Sequence, residues 1–186
     1  MDADHELVGR CLKQDKASQT QLYNRFSPKM FGICLRYANN SMEAEDLLQI
    51  AFVRVFAKLH MYRFEGSLEG WIRSIIITTA INYYKQQLKF QVEVDLGDAA
   101  MHATNIENAL SILSAVELLK VINGLPIGYR TVFNLYVIEG YNHQEIGIML
   151  NISESTSKSQ LHRAKAFLRK RLNDMGITGT DYGKNG

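Results

Sequence analysis

Cysteine is scarce in this sequence: of 186 residues only Cys11 and Cys34 are thiols, with neither chelating spacing nor a cysteine-rich context. That argues against a disulfide scaffold or a thiolate metal site and fits a reducing compartment, with both thiols expected in or beside a core. The histidines, His5, His60, His102, His143 and His162, form no metal signature either. Long apolar runs are also missing. The nearest approach, Trp71 to Ile81, is interrupted by Arg73, so a buried helix is expected there rather than a membrane span. The N-terminal MDADHELVGR begins acidic and lacks an apolar secretory core, so a cytoplasmic protein without direct membrane insertion is expected. Paired acids such as Glu45-Asp46 read as a helix N-terminal surface rather than an acid-base couple. No enzyme activity and no cofactor are expected.

Net charge is small as well, +2 in total, and it is the distribution that informs. Residues 91 to 128 set Lys120 against Glu93, Asp95, Asp98, Glu107 and Glu117. By contrast, Lys158, Arg163, Lys165, Arg169, Lys170 and Arg171 follow one another in a late helical segment that has only Glu154 as countercharge. A basic helix in a nearly neutral chain is a localised electrostatic footprint for nucleic acid, or else a solubilising face.

The chain is long enough for one medium domain or two small ones. Helical periodicity runs through most of it. Asp4 to Gln14 centres on Leu7, Val8 and Cys11; Asp15 to Ser18 reads as a turn; Gln19 to Asn39 follows, with Pro28 marking either a kink at Ser27 or a bent continuous helix. Asn40 and Glu43 have capping-box spacing before Ala44, Leu47, Leu48, Ala51, Phe52, Val55, Phe56 and Leu59. At about 100° per residue Asp46, Gln49, Ile50 and Val53 share the opposite face, and a purely solvated face has no need of Ile50 and Val53. Next come the aromatic loop His60 to Ser67 and a second helix, capped by Ser67, through Leu68, Trp71, Ile72, Ile75, Ile76, Thr79, Tyr83, Lys85 and Lys89. Tyr23, Phe26, Phe31, Phe52, Phe56 and Trp71 are expected in packing. Tyr62 and Phe64, beside Arg63 and Gly66, are expected to be exposed, where rings can stack on bases.

After an acidic linker, with Asn105 or Asn108 near the next helix start, Leu110, Leu113, Val116, Leu119 and Ile122 are in helical register until Asn123-Gly124-Leu125-Pro126. Tyr129 to Glu139 predicts a helix with Val132, Phe133, Tyr136 and Val137 as core. His143 to Leu150, a short Asn-Ile-Ser turn, and a helix from about Glu154 then have helix-turn-helix form.

Two stretches carry a family resemblance. EAEDLLQIAFVRVF followed by YRFEGSLEGWIRSIIITTAINYYKQ resembles the promoter-opening domain of sigma-70 family sigma factors of the extracytoplasmic-function type. GYNHQEIGIMLNISESTSKSQLHRAKAFLRKRL resembles the minus-thirty-five-binding domain of the same family. The resemblance implies an all-α protein: residues 4–90 as region 2, 91–108 as linker, 109–174 as region 4 and 175–186 as a flexible tail. It implies core RNA polymerase and promoter DNA as partners, an anti-sigma factor as a regulator, and no catalytic residue. Asp46, Gln49, Ile50 and Val53 would bind polymerase. Tyr62, Arg63, Phe64, Asn82 and Lys85 would meet the minus-ten element, and Ser155, Thr156, Lys158, Ser159, Gln160 and Arg163 the minus-thirty-five element. Departures from the family pattern fall at Ile50, Thr78, Asn82, Lys85, Ser155, Ser157 and Gln160. Glutamine for arginine at Gln160 matters most, since arginine forks onto guanine while an amide suits adenine. The alternative is a two-domain helix-turn-helix regulator without initiation activity.

Overall fold

The computed structural model describes residues 3–88 and 114–177, all helices and turns, in two compact units that divide between Gln86 and Gln87. The linker expected over 91–108, with Asn105 and Asn108, and residues 178–186 of the expected tail lie outside the described residues.

The first unit contains α1 (Ala3–Leu12), α2 (Lys16–Tyr37), α3 (Ser41–Lys58), a short 3-10 turn (Leu59–Met61) and α4 (Leu68–Leu88). The segment read as a turn at Asp15 to Ser18 is instead a helix start. Asp15 caps α2 by accepting from the Ser18 amide at 3.1 Å and from the Ser18 hydroxyl, so the helix begins at Lys16. α2 runs unbroken through Pro28. Proline deprives the Asn24 carbonyl of its donor, but both residues lie on the exposed side, where water can satisfy it, while Leu22, Phe26, Met30, Ile33 and Cys34 anchor the other face. Asn40 caps α3 by accepting from the Glu43 amide at 2.8 Å; the Glu43 carboxylate reaches back to the Asn39 amide at 3.1 Å.

α2 and α3 pack along their lengths, with Tyr23 edge-on to Phe52 at 4.7 Å. Cys11 and Cys34 are both buried and free, and burial pushes the Cys34 thiol up to about 12, so neither is a nucleophile. In α4, Leu68, Ile72, Ile75, Ile76, Ile77, Ala80, Ile81 and Tyr84 are buried, and together they occupy an arc of about 240°. Only a narrow strip of α4 is left for other work.

The second unit contains α5 (Ala115–Asn123), α6 (Ile127–Phe133), a π turn (Asn134–Ile138), α7 (His143–Leu150) and α8 (Glu154–Asp174). α5 opens on a full capping box between Ser114 and Glu117, and Val116, expected in its apolar stripe, is 65% exposed. The helix expected from Tyr129 to Glu139 also differs. Val132 and Phe133 are buried as predicted, but Tyr136 and Val137 are exposed, and Asn134 and Leu135 are buried in their place. The cause is the π turn, whose Glu139 amide donates to the Asn134 carbonyl at 2.9 Å. Its wider turn carries residues past the face to which an α-helix would return them.

α7 and α8 form the helix-turn-helix. Asn142 caps α7 in a capping box with Glu145. The turn needs two permissive positions: Asn151 at φ 58, ψ 48, and Gly147, where a Cβ would sit 2.9 Å from the Ile152 carbonyl oxygen. Ser153 caps α8, accepting from the Thr156 amide at 3.0 Å.

Candidate nucleic-acid interfaces

The strip that α4 leaves exposed is Trp71, Ser74, Thr78, Asn82 and Lys85, which fall within about 80° of one another. Four of them, with Thr79, Ile75 and residues Arg54, Lys58 and Met61 of the preceding α3 and 3-10 turn, line a groove of about 540 Å³. The groove has a definite hydrogen-bonding character. Ser74 donates its hydroxyl proton to the Trp71 carbonyl at 2.7 Å, and Thr78 donates to the Ser74 carbonyl at 2.8 Å. Both oxygens therefore face outward as acceptors, next to the Asn82 amide, which both donates and accepts. Cationic Arg54 is held over the groove by donating to the Thr79 hydroxyl at 3.3 Å. A flat indole, a row of acceptors and two cations suit an unpaired base with its phosphate.

Among the residues read from sequence, Asn82 lines this groove and Lys85 lies on the same strip. Trp71 was expected in packing and is instead half-buried, with one side on the groove. Ser74, Thr78, Arg54 and Lys58 did not figure as site residues, although the i, i+4, i+8 spacing of Ser74, Thr78 and Asn82 against an aliphatic helix was a usable signal.

The aromatic loop is more ordered than the expectation of exposed rings. Tyr62 is buried, 7% exposed, and its hydroxyl donates to the Gly66 carbonyl at 2.8 Å. Its ring lies 5.4 Å from Trp71 and 4.8 Å from Phe64. It props the loop and offers no free face, because closing the short Tyr62–Gly66 turn folds the ring inward. Arg63 and Phe64 are exposed, Phe64 by 38%. Gly66, at φ 86, supplies the left-handed corner.

On α3, Asp46, Gln49, Ile50 and Val53 are all exposed, Ile50 by 46% and Val53 by 69%. Two aliphatic residues on an outward face flanked by an acid and an amide make an apolar spot with a polar edge, suited to a protein partner.

On α8 the row Ser157, Leu161, Ala164, Leu168 and Leu172 is buried. Ser155, Ser159, His162 and Arg163 point away from it, and Lys158, Ser159, His162 and Arg163 line a depression of about 370 Å³. Lys158 is paired with Glu154 at 2.6 Å, which holds the Glu154 carboxyl below its ordinary range. Thr156 and Ser155 are both engaged by the Ser153 hydroxyl, at 2.7 and 2.8 Å, so Thr156 serves the cap. Gln160 sits nearer the buried row, and its Oε1 is withdrawn from solvent without a partner among the described residues. His162, not singled out from sequence, occupies the outward position. Buried Ser157 meets His143 Nδ1 at 2.9 Å, tying α7 to α8, and His143 stacks on Tyr136 at 4.4 Å.

Among the described residues no helix is long and apolar enough to cross a membrane. Two helical units, one with a polar aromatic groove and one with a cationic helix-turn-helix, define an all-α protein with a candidate nucleic-acid surface on each unit.

Comparison with known proteins narrows that class. The family model described as Sigma-70 region 2 matches residues 22–89, and that described as Sigma-70, region 4 matches residues 115–168. The chain is 24% identical to the RNA polymerase sigma-H factor of Pseudomonas aeruginosa over 182 residues, 92% of this chain and 94% of that one. It is 26% identical to the ECF RNA polymerase sigma factor SigW of Bacillus subtilis over 174 residues, 88% and 93% of the two chains. Among solved structures, CnrH in complex with the cytosolic domain of CnrY has a similar fold, with TM-score 0.50 at 18% identity, covering 93% of this chain and 99% of that one. So does the sigma factor RpoE in complex with the anti-sigma factor NepR from Bartonella quintana, with TM-score 0.50 at 19% identity over 83% and 96%. The chain belongs to the extracytoplasmic-function group of the sigma-70 family: it is an RNA polymerase sigma factor, a binding subunit and not itself an enzyme. The reading as a regulator without initiation activity is set aside by this membership.

Proposed function

We propose that the exposed strip of α4 is where this sigma factor holds the opened minus-ten strand, with Trp71, Ser74, Thr78 and Asn82 lining the base groove and Arg54, Lys58 and Lys85 neutralising phosphate. The observation that supports it is the groove itself: a helix buried over most of its circumference leaves one polar, aromatic-edged strip open, in an otherwise aliphatic setting. Arg63 and Phe64 extend this surface onto the loop, and Tyr62 supports them from beneath. The outer face of α8, through Ser155, Lys158, Ser159, His162 and Arg163, enters the major groove of the minus-thirty-five element, with Thr156 securing the helix start and Gln160 beside the protein surface. Asp46, Gln49, Ile50 and Val53 dock on core polymerase. Residues 4–90 and 109–174 act as the two binding domains, joined across 91–108.

The direct test is promoter-dependent initiation with purified core polymerase on a promoter selected from a random library, with permanganate footprinting of the opened strand. Substitutions in the α4 strip are expected to reduce permanganate reactivity while leaving closed-complex formation in place. Loss of closed complexes alone, with opening intact, would contradict the assignment.

The protein acts in the cytoplasm beside polymerase, and an anti-sigma factor restrains it. Two chains of similar fold are described with such partners or with a cytosolic domain bound, and exposed Ile50 and Val53 give an inhibitor an apolar surface that competes directly with core. Copurification followed by competition against core polymerase tests this; a copurifying protein that leaves core binding intact would not satisfy it.

A further inference from the structure

We propose that His5, on α1, is a positioning residue for base capture, holding the Phe64 ring ready at the edge of the loop. The proposal rests on the reading of the loop given above and extends it to α1, which that reading does not use. Phe64 has φ +60, in the left-handed region that side chains other than glycine adopt only under constraint. Such a conformation persists where its surroundings over-determine it, and these conformations cluster at ligand clamps.

Two neighbouring rings supply the constraint. The His5 imidazole lies over Phe64 with centroids 3.5 Å apart and planes 14° apart, a near-parallel stack. Tyr62, fixed by its bond to the Gly66 carbonyl, lies 4.8 Å away at 52°. α1 is itself well anchored, so the imidazole is more than a chance neighbour. Asp4, the residue before His5, receives Arg25 of α2 at 2.6 Å, and Leu7, Val8 and Cys11 are buried on the same short helix. α1 thus approaches the 3-10 turn leading into the loop as a braced element.

His5 is on the exposed side of α1 and contributes nothing to the buried row, so its ring is free to serve the loop. A platform already held in its binding geometry loses less freedom when a base arrives, and this preorganisation is what His5 supplies. Imidazole is also flat and polar-edged, so it can cover Phe64 and remain in water.

The experiment uses the full chain bound to core polymerase and, as probe, a DNA with a mismatched bubble whose open strand was selected from a random pool with wild-type holoenzyme. Aromatic pairs contribute enough that His5→Ala is expected to weaken bubble binding about threefold to tenfold, with unchanged affinity for core and a cooperative unfolding transition retained. His5→Phe, which keeps the stack, is expected to restore binding. Because His5 acts through Phe64, adding His5→Ala to Phe64→Ala is expected to cost nothing further. Equal or tighter binding by His5→Ala overturns the proposal, as does an undiminished His5→Ala effect in the Phe64→Ala background. If Phe64→Ala alone has no effect, base stacking on the loop is what fails, and the role of His5 falls with it.

Discussion

α4 and α8 are both 21-residue helices, and each presents one outward strip, yet the two strips differ in shape and charge in a way that, on the proposed function, suits them to different forms of DNA. On α4 the burial is wide and the outward strip narrow: it carries an indole, hydroxyls and an amide, and it sits in a groove with the cations at its rim. On α8 the burial is a single row, and the outward side is broad, convex and cationic. A concave groove with an aromatic wall and cations at its rim can seat a base that has left its stack, but it cannot follow the backbone of a duplex. A convex basic helix fits a major groove, and its shallow depression between Lys158, Ser159, His162 and Arg163 offers no aromatic wall on which an isolated base could stack. The electrostatics differ too: the α4 cations stand beside acceptors, whereas Lys158 is paired with Glu154 at 2.6 Å. The difference predicts that substitutions on α4 alter opening, and substitutions on α8 alter duplex affinity and preference.

The sharpest way to break that division is Trp71→Ala. Loss of one stacking partner costs roughly 1–3 kcal/mol per base, so strand opening is expected to fall by between about fivefold and about 160-fold, with duplex binding nearly unchanged. Stopped-flow fluorescence of a base analogue in the opened strand measures the first, and filter binding to a fully paired promoter the second. An unfolding curve of the variant controls for the lost contact with Tyr62. Equal losses in both assays would remove the distinction between the two strips.

A smaller effect sharpens the α8 side. With Gln160 turned toward the protein and His162 outward, His162→Ala is expected to change base ranking in a randomised minus-thirty-five library, while Gln160→Ala leaves the ranking as it was. A single hydrogen bond contributes about 0.5–1.5 kcal/mol, so the preference should shift severalfold. The reverse result would put Gln160, about 160° around α8 from His162, on the reading face. Lys158→Ala is the milder companion: it is expected to weaken all sequences alike and to reduce the salt slope by about 0.9. Titration at several salt concentrations gives that slope, and an unchanged slope would place Lys158 away from phosphate.

How far the sequence revealed this arrangement depended on what kind of signal each part carried. Capping residues and apolar periodicity are local, so Asn40, Ser67 and the start of α8 at Glu154 follow from short-range chemistry, as does the helix-turn-helix. Three features are not local. The π turn after Phe133 depends on i to i+5 bonding that no periodicity announces, and it moved Tyr136 and Val137 from the expected core to the surface. Tyr62 lies in a polar loop, and only closure of that loop onto the Gly66 carbonyl puts it inside. The faces of Gln160 and His162 differ by two positions, a rotation that depends on how α8 seats against α7 through Ser157 and His143. Trp71 shows the opposite case: large and apolar, it reads as core, while its place on the groove, beside the hydroxyl row, is visible only in the fold.

The last and smallest effect concerns that His143–Ser157 contact, and it asks whether the α8 face is held as firmly as the α4 strip. Ser157 is fully buried, so its hydroxyl needs a partner, and His143 Nδ1 is within 2.9 Å of it. Burial lowers the His143 pKa, and Lys158 lowers it further; Lys165 acts in the same direction and Glu154 opposes them. The folded state therefore prefers neutral histidine, so this contribution to stability is fully present above the ordinary histidine value of 6.5 and declines as pH falls through the lower folded value. The second unit is accordingly expected to lose resistance to urea between neutral and mildly acid pH more steeply than a His143→Phe variant, which has nothing to protonate there. Near-ultraviolet circular dichroism cannot use Trp71 for this purpose, since it lies in the first unit. Amide hydrogen exchange at Ser157 and Leu161 reads the second unit directly. A fall in wild-type protection, relative to the intrinsic exchange rate at each pH, on going to acid pH, with protection in the His143→Phe protein unchanged, would establish the contact as the hinge pin of α7 and α8. Identical pH profiles for the two proteins would show that the unit is held by its aliphatic row alone.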